Sequence, residues 1–287
     1  MAEQDNRHWQ GRTDGTEWMQ RALVWLFRYL PLWLLYGVMV MVVPFYILFG
    51  RKGRKAIYDF YRRRMGHGRV KSVVYMCENF FRFGQVVLDR FAVFAGKKFN
   101  IELDRYDLFE QYDAKEDGFV ILSAHVGCYE MAGYYLVSKN KQFNALVYGG
   151  ESQTVMDNRA KILARNNIGM IVTSDDMSHI FAIHNALSSS QIVSIPADRI
   201  FGSKKVERCP FFGEEASFPA GPFVVARSHG AEMLAIFVMK EGMRRYRIII
   251  REVKDVKEYA EVLEEVLRKY PEQWFNYFDF WEDGKAA

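Results

Sequence analysis

The apolar run Phe119-Val120-Ile121-Leu122-Ser123-Ala124 delivers a histidine, His125, and a carboxylate, Glu130, follows five residues later. Imidazole takes and returns a proton near neutral pH, and a carboxylate on one ring nitrogen fixes its tautomer and stabilises the imidazolium. On a helix, a separation of five turns two side chains about 140° apart. The two can therefore pair only if His125 stands on the turn before a helix opened by Val126 or Gly127, with Glu130 reaching back. Such a pair is a base with its orienter and no resident nucleophile, which suits an incoming hydroxyl. Cys128 is the rival nucleophile, near a helix start where a thiolate is stabilised. It lies only three residues from His125, without the local motifs of cysteine hydrolases, and reads as a small packing residue. His179, His184 and His229 have no partner pattern and read as core or surface residues.

The elements that must position these groups follow from periodicity. Short apolar runs, Phe119–Ala124, Ala145–Tyr148, Ile168–Thr173 and Ile192–Pro196, alternate with longer helix-like stretches. Met233–Met239 and Tyr246–Ile250 flank the turn-like Glu241-Gly242 and read as a hairpin. A Phe-rich helix is expected from Val70 to Ala95, ended by Gly96, and an amphipathic one carries Val256, Tyr259, Ala260, Leu263, Val266, Leu267 and Tyr270 on one stripe before Pro271. The fold class is α/β: a central, largely parallel or mixed sheet flanked by helices. His125 then stands at the carboxyl end of a strand, where such sheets place their ligands.

Composition narrows the setting. Half of the 287 residues are apolar, enough for a sizeable core, and three scattered cysteines (Cys77, Cys128, Cys209) form neither a disulfide framework nor a metal-ligand spacing. Residues 29–50 contain no charge, whereas residues 51–72 hold nine Lys or Arg against the single Asp59. The uncharged segment is long enough to cross a hydrocarbon core of about 30 Å. Pro31, Gly37 and Pro44 within it also suit a re-entrant helix in one leaflet. The basic flank places the bulk of the chain on the cytoplasmic side of a membrane and fits anionic headgroups or an acidic carrier protein. Nothing that reads bases accompanies it, so no nucleic-acid partner is expected.

Two later stretches complete a pattern. Ile195-Pro196-Ala197-Asp198-Arg199 follows a strand, and Phe218-Pro219-Ala220-Gly221-Pro222 precedes a helix-like run. With His125 and Glu130 they resemble, in order and spacing, the blocks of the lysophospholipid acyltransferase superfamily. Glu130 in place of Asp, and Pro210-Phe211-Phe212-Gly213 ahead of the last block, are most similar to the lipid A secondary (late) acyltransferase branch. The resemblance covers nearly the whole chain, including the terminal Pro271-Glu272-Gln273-Trp274-Phe275.

Charge and hydropathy divide the chain into an N-terminal amphipathic lead at 1–28, a membrane-anchoring or re-entrant helix at 29–50 and the remainder at 51–287, which the resemblance implies is an acyltransferase domain. The resemblance implies transfer of a fatty acyl group from a thioester, on acyl carrier protein or coenzyme A, to a hydroxyl of a membrane (glyco)lipid at the cytoplasmic face of the inner membrane. His125 would be the base and Glu130 its orienter, with backbone amides at Gly127 and Gly221 for the oxyanion. Arg159, Arg165 and Arg199, with Asp198, would meet an anionic headgroup. No metal and no organic cofactor is called for. A non-catalytic lipid-binding scaffold and a lipid acyl hydrolase are the other readings of the same fold.

Overall fold

The computed structural model describes residues 25–150, 153–174, 178–200 and 205–281, so all but the end of the expected lead at 1–28 lies outside the described residues. The uncharged segment forms α1 (Leu32–Phe49), and the basic stretch forms α2 (Arg51–Asp59) and a π-helical turn at Phe60–Arg64. The Phe-rich pattern is one long helix, α3 (Arg69–Phe94). Then follow β1 (Asn100–Asp104), α4 (Tyr106–Ala114), β2 (Phe119–Ser123), a 3-10 turn at Tyr129–Met131 and the short α5 (Ala132–Tyr135). The middle of the chain runs β3 (Phe143–Val147), α6 (Gln153–Arg165), β4 (Ile168–Val172), α7 (Ser178–Ser188) and β5 (Ile192–Pro196). A hairpin of β6 (Val206–Phe211) and β7 (Glu214–Pro219) leads into α8 (Gly221–Ser228), β8 (Met233–Lys240), β9 (Arg245–Val253) and α9 (Val256–Lys269).

Seven strands form one mixed sheet in the order β1-β9-β8-β2-β5-β3-β4. Strands β8, β2, β5, β3 and β4 are mutually parallel; β9 runs against β8 as the expected hairpin, and β1 lies parallel to β9 at the edge. The central strand β2 is buried at all five positions, as a strand covered on both faces must be. Its alternation separates two cores: Val120 and Leu122 face one, with α7, α8 and α9, while Phe119 and Ile121 face the other, with α1 and α4. The stripe expected on α9 is the buried one, from Val256 through Leu267. β1 and the β6–β7 hairpin were not legible as strands; β1 is a half-exposed edge strand whose Glu102 and Asp104 interrupt any apolar run, and the hairpin pairs only with itself.

Candidate active site

Parallel pairing of β2 and β5 sets Ser123 opposite Pro196, and the N–H of Ala197 donates to the carbonyl of Ser123 at 2.8 Å. His125 and Asp198, each two residues beyond that pair, leave the sheet side by side. One carboxylate oxygen of Asp198 accepts the backbone N–H of His125 at 2.8 Å, and the other lies 2.8 Å from its Nδ1. Asp198 is fully covered, whereas the His125 side chain keeps 24 % of its surface open. Burial alone would raise the Asp198 carboxyl. The charge and hydrogen bonds of His125, with Arg199 beside it, outweigh burial and hold the group below the usual carboxylate range. An ionised Asp198 accepts a hydrogen bond from Nδ1–H, so the lone pair of neutral His125 is on Nε2.

The carboxylate hydrogen-bonded to His125 is therefore Asp198, and the expected pairing of His125 with Glu130 is corrected. Among the described residues no hydrogen bond joins His125 to Glu130. Glu130 accepts from Arg90 of α3 at 2.9 and 3.2 Å, with Arg159 of α6 at 3.9 Å from the same carboxylate. The local reason is that no helix opens at Val126 or Gly127. Val126 bridges Trp274, Gly127 bridges Val238, and Gly127 adopts φ +52°, a left-handed conformation that starts no helix. Helical backbone begins only at Tyr129, which turns Glu130 toward α3. Tyr129 presents its ring to His125, edge to face, at 5.4 Å.

A segment after α9 straps this turn in place. The N–H of Gly127 donates to the carbonyl of Gln273, and that of Phe275 to the carbonyl of His125. Asn79 of α3 donates to Trp274 O at 2.7 Å, and the Gln273 amide makes two 2.8 Å bonds to the backbone of Lys240. This removes Gly127 as an oxyanion donor, since its N–H is already spent. One N–H of the half-buried Arg199 donates to the carbonyl of Phe275 at 2.8 Å, and Asp198 is sealed beneath His125 rather than open to a headgroup. Arg165 ends α6 exposed; its six-residue offset from Arg159 turns it about 240° around the helix, and no described contact brings it to Glu130 or His125. Gly221 opens α8, where first-turn N–H groups have no intrahelical acceptor.

Burial, with the charges of Glu130 and Asp89, pushes the Cys128 thiol far above its ordinary value, which rules out a resting thiolate. Among the described residues no three His, Cys, Asp or Glu side chains gather as a metal site would require. An open cleft of about 510 Å³ lies beside β9, but its walls include none of His125, Asp198 or Glu130, and its Arg247 is paired with Glu241 and Glu102. Two functional features were invisible in the sequence. Arg90 sits 40 residues from Glu130 with no motif around it, and the strap engages His125 through backbone groups, which carry no residue signature.

Compared with known families, residues 15–281 match the family model described as bacterial lipid A biosynthesis acyltransferase. No curated protein matches the chain.

Proposed function

This chain belongs to the bacterial lipid A biosynthesis acyltransferase family, and from that premise we propose that it moves a fatty acyl group from a thioester to a hydroxyl of a membrane glycolipid, with His125 as general base. The observation that carries the reading is the 2.8 Å contact from Asp198 to Nδ1 of a partly open His125 at the carboxyl ends of two parallel strands. Nε2 takes the proton of the acceptor hydroxyl as its oxygen bonds to the thioester carbonyl carbon. Asp198 stabilises the imidazolium that results. The tetrahedral intermediate then expels the thiolate as the carbon–sulfur bond breaks, and His125 returns the proton to sulfur. No external oxidant, metal or organic cofactor enters this balance. Of the two expected oxyanion donors, Gly221, in the open first turn of α8, is the one retained.

Glu130 takes a different part from the one its spacing implied. It carries one negative charge, held by two hydrogen bonds from Arg90 and lying 3.9 Å from Arg159, so the three groups sum to +1. That arrangement suits a phosphate-bearing acceptor held beside Nε2. The donor is an acyl carrier protein or coenzyme A thioester, and the protein works at the cytoplasmic face of the inner membrane. Incubation of purified protein with acyl thioester and membranes, followed by mass spectrometry of the lipids, tests the reading. An acylated glycolipid that is absent with His125→Ala is the expected result; free fatty acid in its place would make the protein a hydrolase.

A further inference from the structure

α1 is apolar on every side, with a mean hydropathy of 2.2 and no charge, yet its surroundings are not uniform. Leu32, Leu35, Tyr36, Met39 and Val43 form one buried stripe against the protein body. Gly84 of α3 lets the two helices approach, with Met39 and Val43 packed where a side chain would stand. The opposite face is open, from Trp33 through Met41, 75 % exposed, to Phe49.

The contact with the body is chemical as well as apolar. The hydroxyl of Tyr36 donates to Asp89 of α3 at 2.5 Å and accepts from the ammonium of Lys240, the last residue of β8, at 2.9 Å. Lys240 in turn donates to Asp89, as does the hydroxyl of Tyr246 on β9. The far end of α1 is closed by Arg54 of α2, which donates to the carbonyl of Ile47 at 2.8 Å. α1 is thus tied to the folded body near its start and to α2 at its end.

A helix so tied cannot cross a bilayer alone. If α1 spanned, its antiparallel neighbour α3 would enter the hydrocarbon with it, carrying the partly open side chains of Arg82 and Arg90 level with the middle of α1, and each charge at such depth costs several kcal/mol. We propose that α1 lies in the plane of one leaflet, its open face sunk among the acyl chains while its buried face stays on α3, and that the occupant of that face is an anionic lipid surface. Charge complementarity carries the choice of lipid: α2 follows at once, with Arg51, Lys52 and Lys55 exposed at the level of the headgroups. The consequence for catalysis is positional. α3, which carries α1 on one side, supplies Arg90 to Glu130 on another, so one helix layer, about 10 Å, separates the leaflet from the site. The proposal rests on the lipid-acyltransferase reading for its meaning, but its test does not use activity.

Leu34, Met41 and Leu48 are exposed and, at intervals of seven, share one face of α1 over about 21 Å of rise. Single cysteines at these positions (Leu34→Cys, Met41→Cys, Leu48→Cys), in full-length protein bearing Cys77→Ser, take an environment-sensitive fluorophore; Cys128 and Cys209 are buried. The labelled proteins are added to phosphatidylethanolamine–phosphatidylglycerol vesicles containing lipids spin-labelled near the headgroup or deep in the chain. In-plane burial predicts equal quenching at all three positions, stronger from the shallow label. A depth that runs from one interface through the midplane to the other would overturn the proposal. So would labels that ignore vesicles and instead quench one another between two copies of the chain. Acyl transfer is measured on the same samples: a spanning profile with intact transfer removes the in-plane geometry alone, and an in-plane profile without transfer removes the catalytic reading alone.

Discussion

Two buried carboxylates, each facing a basic side chain, have been given opposite characters by their surroundings. Asp198 faces His125, whose ring is 24 % open, and lies below the usual carboxylate range. Asp89 faces Lys240 in a pair closed on both sides, 0 % and 1 % exposed; there burial dominates, and Asp89 is raised while Lys240 is lowered despite their attraction. The difference lies in what the partner can do. Imidazole can be neutral or charged without breaking the contact, so the first pair is ready to cycle a proton. The second has no open side and no spare proton traffic, and joins α1, α3, β8 and β9 at one point. One pair can pass a proton and the other rivets.

The comparison can be broken most directly at the working pair. His125→Ala and Asp198→Asn should each lower turnover by about two to four powers of ten. Both remove a partner from a buried carboxylate contact, so some loss of unfolding temperature is expected as well, and turnover is read per folded enzyme below both transitions. An Asp198→Asn enzyme with unchanged turnover would return the orienting role to Glu130. The rivet should respond the other way. Asp89→Asn strands a buried ammonium and should cost about 3–5 kcal/mol in chemical unfolding, with the turnover of the remaining folded enzyme kept. Replacing both partners, Asp89→Leu with Lys240→Met, should restore much of that stability. A single substitution that spares stability but abolishes turnover would show that the two pairs are not separate in role.

Glu130→Gln sharpens the picture with a smaller effect. Charge-assisted hydrogen bonds contribute about 1.5–3 kcal/mol and each 1.4 kcal/mol is tenfold, so a tenfold to hundredfold rise in the acceptor KM is expected, with the donor KM unchanged. Acid titration separates the two carboxylates by sign. Asp198 is depressed in the folded state, so its stabilisation is full above the unfolded value of 3.8 and is lost as pH falls through the lower folded value. Asp89 is raised, so its contribution declines as pH climbs from 3.8 through the higher folded value. Unfolding free energy of Asp198→Asn measured against pH should therefore lack the acid limb that Asp89→Asn retains. The least effect is expected at Cys128: Cys128→Ala should keep activity within about twofold, because a buried free cysteine behaves as a small apolar group. Loss of activity there would reopen covalent catalysis.

Legibility in the sequence followed the range of the interaction. Strands β2 to β5 were marked by local apolar runs that matched to within two residues, the hairpin by runs that stopped three residues short of the end of β9, and the α9 stripe by its period. His125 was marked by the strand that ends before it. Its partner was misread because a five-residue separation could be weighed from the chain alone, whereas Asp198, 73 residues away, becomes a neighbour only through the β2–β5 register.

The amino-acid order by itself determined most of the elements, the α/β class and which residues carry protonatable or cationic groups, since propensity and periodicity are properties of neighbouring positions. Which carboxylate serves His125, which arginines hold Glu130, and why the uncharged segment has a buried face and an open one were decided by tertiary structure. Hydrogen bonds of about 3 Å require atoms from β2, β5, α3 and the strap to meet, and only the assembled sheet and its helices fix those positions.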